Sequence, residues 1–139
     1  MRRFALATVL AMLTFFAFTS PASAQVVNPT AVEFDASADH NAVVLTTPVV
    51  TNYELRIFKQ TTPTVVDKRL NLAKPTPVAG KIIVINKAFF DSLTVGEYIA
   101  KVAAIGPAGE GESTATAPFG RMTAPAAPGT APVLRVTVP

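Results

Sequence analysis

The chain has 139 residues, of which twelve are basic and nine are acidic, and it contains neither cysteine nor tryptophan. Two of the basic residues, Arg2 and Arg3, belong to a predicted leader, so the rest of the chain is nearly neutral and has no electrostatic attraction for nucleic acid or for an acidic membrane surface. The absence of cysteine excludes thiol catalysis, thiolate metal sites and disulfide exchange.

The first 24 residues have the three-part pattern of a secretory signal peptide. Arg2 and Arg3 are followed by fifteen residues without charge, 4–18, and then by the small residues Ala-Ser-Ala at 22–24. An uncleaved tether is the alternative, but fifteen residues fall short of the roughly 20 that span a bilayer as a helix. The sequence thus predicts cleavage after residue 24 and a protein that is secreted, periplasmic or on the cell surface.

Beyond residue 25 the apolar residues recur with a period of two, which is typical of β-strands. The run 64–72 is more polar, and its Lys68 and Arg69 favour a position at a sheet edge. The segment 87–93 predicts one helical turn that connects two strands. Strands are predicted at 26–30, 31–37, 52–59, 64–72, 81–86, 97–105 and 113–120, with inward side chains at Val32, Phe34, Tyr53, Leu55, Ile57, Ile83, Ile85, Tyr98 and Val102.

A tyrosine opens the penultimate predicted strand, just after a leucine and a glycine turn, in the order Leu93, Gly96, Tyr98. This order matches a tyrosine corner, in which a buried ring bonds its hydroxyl to backbone a few residues upstream. Phe34 supplies the core aromatic of the second strand, and Tyr53 leads the third.

On these residues the chain resembles a fibronectin type III domain, of the kind common in secreted bacterial proteins, over most of its length after the leader. The resemblance implies an all-β fold, a Greek-key β-sandwich of about seven strands that spans 26–121. An ordinary immunoglobulin-like sandwich is the alternative, although the cysteine pair and the core tryptophan of antibody domains are both absent.

The composition changes at Met122, since 122–139 contains four prolines and several alanines. The first part of this tail predicts an extended, solvated linker. The end, 133–138, alternates like a strand and would pair with a sheet edge of its own chain or of a neighbour. A disordered end is the alternative, and the general fraying of termini favours it.

Two groups of polar residues suggest catalysis only weakly. His40 lies near Ser37 and Asp39, but neighbours at one strand end point to alternating sides, whereas catalytic triads converge from separate parts of a fold. His40 is therefore predicted to be a solvated loop residue. Glu110 and Glu112 resemble an acid–base pair, but they lie in a glycine-rich loop with nothing apolar to raise a carboxyl pKa. The sequence predicts no enzyme.

Asp35, Ser37 and Asp39 imitate the opening of a calcium-binding loop. The glycine at the sixth position of such a loop is His40 here, and the bidentate glutamate at its twelfth position is Thr46. A weak calcium site and a plain polar turn are both open, and no other metal or cofactor is expected.

The predicted function is a non-catalytic module that contacts a protein or a cell-surface polymer, or a structural spacer. Neither nucleic acid nor stable membrane insertion after cleavage is expected. Contacts are predicted in an apolar loop at 42–50, in a glycine loop at 106–112, or by strand pairing through 133–138. The candidate contact residues of the two loops are Val43, Val44, Leu45, Gly109 and Glu110.

A carbohydrate-binding accessory module is the second hypothesis. Aromatic side chains stack on sugar rings when they are exposed on a sheet face, and Phe58, Phe90 and Tyr53 are the candidate platforms. The hypothesis requires at least two such rings to lie exposed and coplanar on one face of the domain.

Overall fold

The computed structural model describes residues 25–126, so the predicted signal peptide at 1–24 and the predicted tail strand at 133–138 lie outside the described residues. Half of the described residues are in β-strands and 5% are in one short helix, which confirms the all-β prediction. No helix within 25–126 has the length and apolar character needed to cross a membrane.

The strands and the helix are numbered in chain order. They are β1 Val26–Val27, β2 Ala31–Asp35, β3 Val43–Val44, β4 Thr47–Pro48, β5 Asn52–Lys59, β6 Val66–Ala73, β7 Lys81–Ile85, α1 Lys87–Asp91, β8 Gly96–Gly106, β9 Gly109–Glu112 and β10 Phe119–Arg121.

One large sheet has the strand order β1–β10–β8–β5–β6, and β9 pairs with a further part of β8. All of its pairs are antiparallel except β1 with β10, where Val26 lies opposite Phe119. A second sheet consists of β2 and β7, and β3 with β4 forms a separate hairpin. The more polar strand β6 lies at one edge of the large sheet, as its Lys68 and Arg69 predict.

The core lies between the inner faces of the large sheet and the β2–β7 sheet. Alternate residues of β5 fill it, because Tyr53, Leu55 and Ile57 are each at most 2% exposed. From the second sheet, Ile82 is 1% exposed, and the ring of Phe34 lies 5.2 Å from that of Tyr53. The two sheets are therefore joined by one shared apolar cluster rather than by a common hydrogen-bond ladder.

The residues of β7 that face the core differ from those predicted. The sequence predicts Ile83 and Ile85 inside, but they are 60% and 78% exposed, and Ile82 is buried instead. The pairing with β2 sets this phase, because Ile82 lies opposite Phe34 and shares its inward side of the sheet. All four residues from 82 to 85 are apolar, so alternation alone carries no information on which of them face the core.

Tyr98 lies near the start of β8 with its ring in the core. The residue is 1% exposed, its ring stacks on that of Phe119 at 5.8 Å, and its hydroxyl donates to the carbonyl oxygen of Thr94 at 2.8 Å. Leu93 is also buried, and Gly96 begins β8. The hydroxyl of Tyr98 thus ties the strand to the connection that precedes it.

Helix α1 occupies the connection between β7 and β8, where one helical turn is predicted. The side chain of Asn86 accepts a hydrogen bond from the amide of Phe89 at 3.0 Å and so caps the first turn. Phe90 is 4% exposed and meets Phe119 edge to face at 6.4 Å. The helix therefore covers one end of the core with an aromatic side chain.

Candidate functional site

The hairpin formed by β3 and β4, residues 43–48, carries an apolar tip into solvent. We call it the apolar hairpin. Val43 is 57% exposed, Val44 is 64% exposed and Leu45 is 96% exposed. Three consecutive aliphatic side chains are thus available to a partner, and all three belong to the predicted contact residues.

The turn of the apolar hairpin is strained. Val44 pairs with Thr47, so the connection consists of Leu45 and Thr46 alone. Leu45 has a φ of 58°, in the left-handed region that costs a branched or bulky residue about 1–2 kcal/mol. Two-residue hairpin loops usually place glycine, asparagine or aspartate at such positions. A leucine that is both strained and solvated is therefore disfavoured by the fold itself, as residues retained for contacts often are.

One side of the hairpin base is fixed by His40 and Tyr53. His40 is 6% exposed, its Nδ1 lies 2.9 Å from the Tyr53 hydroxyl, and the two rings stack at 5.7 Å. The same hydroxyl accepts a hydrogen bond from the amide of Ser37 at 3.1 Å. The prediction that His40 is a solvated loop residue is wrong, because its ring packs against a core tyrosine that the chain reaches thirteen residues later.

The other side of the base is fixed against the end of β8. The amide and the hydroxyl of Thr51 both donate to the Ile105 carbonyl, at 2.8 and 3.0 Å. A Cβ atom added to Gly106 would lie 1.8 Å from the carbonyl oxygen of Val49, so only glycine permits this approach. Both sides of the base of the apolar hairpin are thus held against the large sheet.

A cleft of about 610 Å³ opens between the hairpin base and the turn from β8 to β9. Val49 and Val50 line it from the first predicted contact loop, and Gly109 and Glu110 line it from the second. The structure thus brings the bases of the two predicted loops to one end of the domain. The exposed tip residues of 43–45 do not line the cleft, so tip and cleft are neighbouring but separate surfaces.

Six charged side chains form a network on the outer face of the large sheet. We call it the charge cluster. Arg56 is at its centre and only 7% exposed, and its guanidinium group donates to three carboxylates that each lie 2.8 Å or less from it. Two further cations bind the same carboxylates at 2.6 and 2.8 Å. The members of the cluster are Glu54, Arg56, Arg69, Lys101, Glu110 and Glu112.

The register of the sheet explains why these charges meet. Ala103 of β8 lies opposite Glu54 of β5 on one side and opposite Glu112 of β9 on the other. Its side chain is small and completely buried, which leaves room on this face for the guanidinium group of Arg56. The network therefore depends on the pairing of β8 with the distant strand β5 and with its neighbour β9.

The pKa shifts of Glu110 and Glu112 argue against an acid–base role for this pair. The hydrogen bond from Arg56 lowers the pKa of Glu110, and hydrogen bonds from Lys101 and then Arg56 lower that of Glu112. A general acid near neutral pH needs the opposite shift. The predicted glycine loop is largely an ordered strand, since both glutamates belong to β9 and bind across to β5. Their chemistry is that of a structural ion-pair network.

The aromatic residues predicted as sugar platforms are buried. Tyr53 is 2% exposed, and Phe58 and Phe90 are each 4% exposed. Phe58 lies on the outer face of the sheet, but the ammonium group of Lys101 covers its ring at 5.2 Å from the centroid. Every phenylalanine and tyrosine within 25–126 is buried or half-buried, so that range presents no open ring to a sugar. The prediction that Tyr53, Phe58 and Phe90 are platforms for sugar rings is therefore wrong.

The calcium hypothesis also finds no support in the geometry. The ammonium group of Lys81 lies 3.2 Å from a carboxylate oxygen of Asp35 and 3.3 Å from one of Glu33, so these carboxylates already have a cation. The part of the chain that the structure describes contains no group of three or more acidic, histidine or cysteine side chains placed to hold a metal ion. The segment that holds Asp35 and Asp39 is a strand end followed by a polar turn.

Comparison of the chain with protein-family models, with curated proteins and with solved structures found no match. A functional assignment for this chain accordingly depends on its own geometry.

Proposed function

We propose that the chain is an exported, non-enzymatic β-sandwich module of the fibronectin type III kind that binds a protein partner through the apolar hairpin. The observation that carries the proposal is the tip itself, where Val43, Val44 and Leu45 are each more than half exposed on a fixed base. Export is supported by the leader pattern of 1–24, and the type III assignment by the buried Tyr98 and its hydrogen bond to Thr94.

The tip has the energetic character of a contact surface. Complete burial of one aliphatic side chain is worth about 1.5–3 kcal/mol, so three adjacent ones supply a useful share of a moderate affinity. Because the hairpin base is held by Tyr53 and by Gly106, little conformational entropy is lost when the tip binds. A partner that buries Leu45 also offsets the cost of its left-handed backbone.

The chemistry of the tip favours a protein over a sugar polymer. Aliphatic side chains bury well against apolar protein surface, whereas sugar recognition relies on aromatic rings and polar groups. In a purely structural spacer, nothing would offset the cost of an exposed leucine with a left-handed backbone. An asparagine at position 45 would adopt this backbone conformation at a lower cost.

Site-specific photocrosslinking tests the proposal. A photoreactive phenylalanine analogue replaces Leu45 in the full chain, which is expressed in the organism that makes it and irradiated in the native secreted or envelope fraction. The matched control carries the same analogue at Val78, which is 79% exposed and lies outside the hairpin. We expect a discrete protein adduct from position 45 and none from position 78.

Competition establishes that the adduct is specific. An excess of the wild-type chain should suppress it, whereas a variant with Val43, Val44 and Leu45 all changed to serine should not. A control variant with Val65, Val78 and Val95 changed to serine, all exposed outside the hairpin, should compete like the wild type. Equal adducts from positions 45 and 78, or competition by the triple-serine hairpin variant, would refute the proposal.

A further inference from the structure

The second sheet has a free edge at β2. Among the strands of 25–126, β2 pairs only with β7. That ladder extends through the Ala36 amide, which donates to the Gly80 carbonyl, and through the Thr30 carbonyl, which accepts from Asn86. Hydrogen bonding alternates along an antiparallel strand, so the odd-numbered residues of β2 direct their N–H and C=O groups to the free edge. These residues are Ala31, Glu33 and Asp35.

An apolar groove runs along this free edge, between β2 and the segment 113–118. Its two adjoining parts have volumes of about 550 and 270 Å³. Val32 of the second sheet and Leu55 and Ala100 of the large sheet line both parts. The space between the two sheets is therefore open on this side. A strand placed here would bond to β2 and would cover apolar side chains at the same time.

The sequence of 133–138, VLRVTV, fits that position. In an extended chain the side chains of Leu134, Val136 and Val138 share one face, which suits the groove. Arg135 belongs to the opposite face, which would lie beside the outward side chains of β2. Those side chains include Glu33 and Asp35, which are 52% and 84% exposed. Lys81 contacts both carboxylates and balances one of their two negative charges, so Arg135 would balance the other. Shape and charge thus agree in the same register.

The path of the chain brings this segment within reach of the groove. The amide of Met122 donates to the side-chain oxygen of Asn28 at 2.9 Å, three residues before β2 begins. Seven residues lead from Ala126 to Val133 and extend to about 23 Å, whereas β2 with its five residues is about 17 Å long. The linker therefore allows the segment to lie along β2 in either direction.

We propose that residues 133–138 of the same chain add a strand to the free edge of β2 and close the groove. The inserted strand completes the second sheet as β-augmentation does in complexes with peptides, but within one molecule.

Amide hydrogen exchange of residues 25–139, followed residue by residue by NMR, tests the inserted strand. Val136→Pro removes a backbone donor and blocks strand pairing, and Thr130→Pro in the linker is the matched control. We expect the amide of Glu33 to exchange at least about tenfold faster in Val136→Pro than in the wild type or in Thr130→Pro. Unchanged exchange of the Leu55 amide in β5 verifies that the fold is intact. Equal exchange of Glu33 in all three proteins would overturn the proposal.

Engineered disulfides identify which chain supplies the strand. Arg135→Cys is combined in turn with Ala31→Cys, Glu33→Cys or Asp35→Cys, and with Val65→Cys as the distant control, in a chain that has no natural cysteine. We expect one of the β2 pairs to form an intramolecular disulfide with an effective concentration at least about tenfold above that of the control pair. A disulfide that links two chains would assign the groove to a second copy and overturn the same-chain proposal. The proposal would also be overturned if none of the β2 pairs had an effective concentration above that of the control pair.

Discussion

Two substitutions at Tyr98 separate the contribution of its hydroxyl from that of its ring. Tyr98→Phe removes the 2.8 Å hydrogen bond to the Thr94 carbonyl and leaves the ring in place. Thr94 is exposed, so its carbonyl can regain a bond to water, and the expected loss of stability is about 1 kcal/mol.

Tyr98→Ala removes the ring as well. The residue is 1% exposed and stacks on Phe119, so the substitution exchanges a filled site in the core for a cavity. Losses for large-to-small changes of this kind are on the order of 3 kcal/mol. The ring should therefore account for about 2 kcal/mol of the total, and the hydroxyl for the remainder.

Urea unfolding monitored by far-ultraviolet circular dichroism measures both values in residues 25–139. Val95→Ala is the matched control, because Val95 is 63% exposed in the same connection and its truncation should change the unfolding free energy by less than about 0.5 kcal/mol. A Tyr98→Ala protein as stable as the control would refute the assignment of Tyr98 as a core residue. Equal losses for Tyr98→Phe and Tyr98→Ala would refute the division between ring and hydroxyl.

Three further predictions concern the charge cluster and the hairpin. Arg56 lowers the pKa values of the cluster's carboxyl groups, so their stabilisation is complete above about pH 5 and is lost as the pH falls through the lowered values. Arg56→Gln should therefore flatten the dependence of the unfolding free energy on pH below about 5, and an unchanged slope would contradict the network. Gly106→Ala forces its new methyl group against the Val49 carbonyl and should cost about 1–3 kcal/mol in urea unfolding, whereas a neutral effect would show that the two backbones are not in contact. Leu45→Asn should raise the unfolding free energy by about 0.5–1 kcal/mol, because asparagine tolerates the left-handed turn, and should abolish partner binding; a loss of stability would show that the turn is unstrained.

The sequence predicts best those strands that are apolar on one face only. The predicted strand 52–59 has the bounds of β5, and the alternation of Tyr53, Leu55 and Ile57 with Asn52, Glu54 and Arg56 defines its phase. For β7 the same argument fails, since every residue from 82 to 85 is apolar and only the pairing with β2 decides which of them face inward. The position of a strand in the chain can thus be predicted from local sequence. Which residues of a uniformly apolar strand face the core depends on its pairing with other strands.

The polar contacts were harder to predict, because their partners are far apart in the chain. Arg56 and Glu110 are separated by 54 residues, and His40 and Tyr53 by 13. No local spacing in the sequence predicts either pair. One signal was available: Glu110 and Glu112 share a face of any extended segment, and Arg56 lies on the polar face of its strand. The contact of Arg56 with these two glutamates follows only when the register of β5, β8 and β9 is known.

The parallel pairing of β1 with β10 has a mechanical consequence. The two strands run in the same direction, with Val26 beside Phe119 and Val27 beside Gly120. The chain therefore enters β1 and leaves β10 at opposite ends of the pair. Tension applied between these two points loads the strands in shear, so that their hydrogen bonds resist together instead of opening one after another. A domain pulled at these two points gains resistance to stretching from this arrangement.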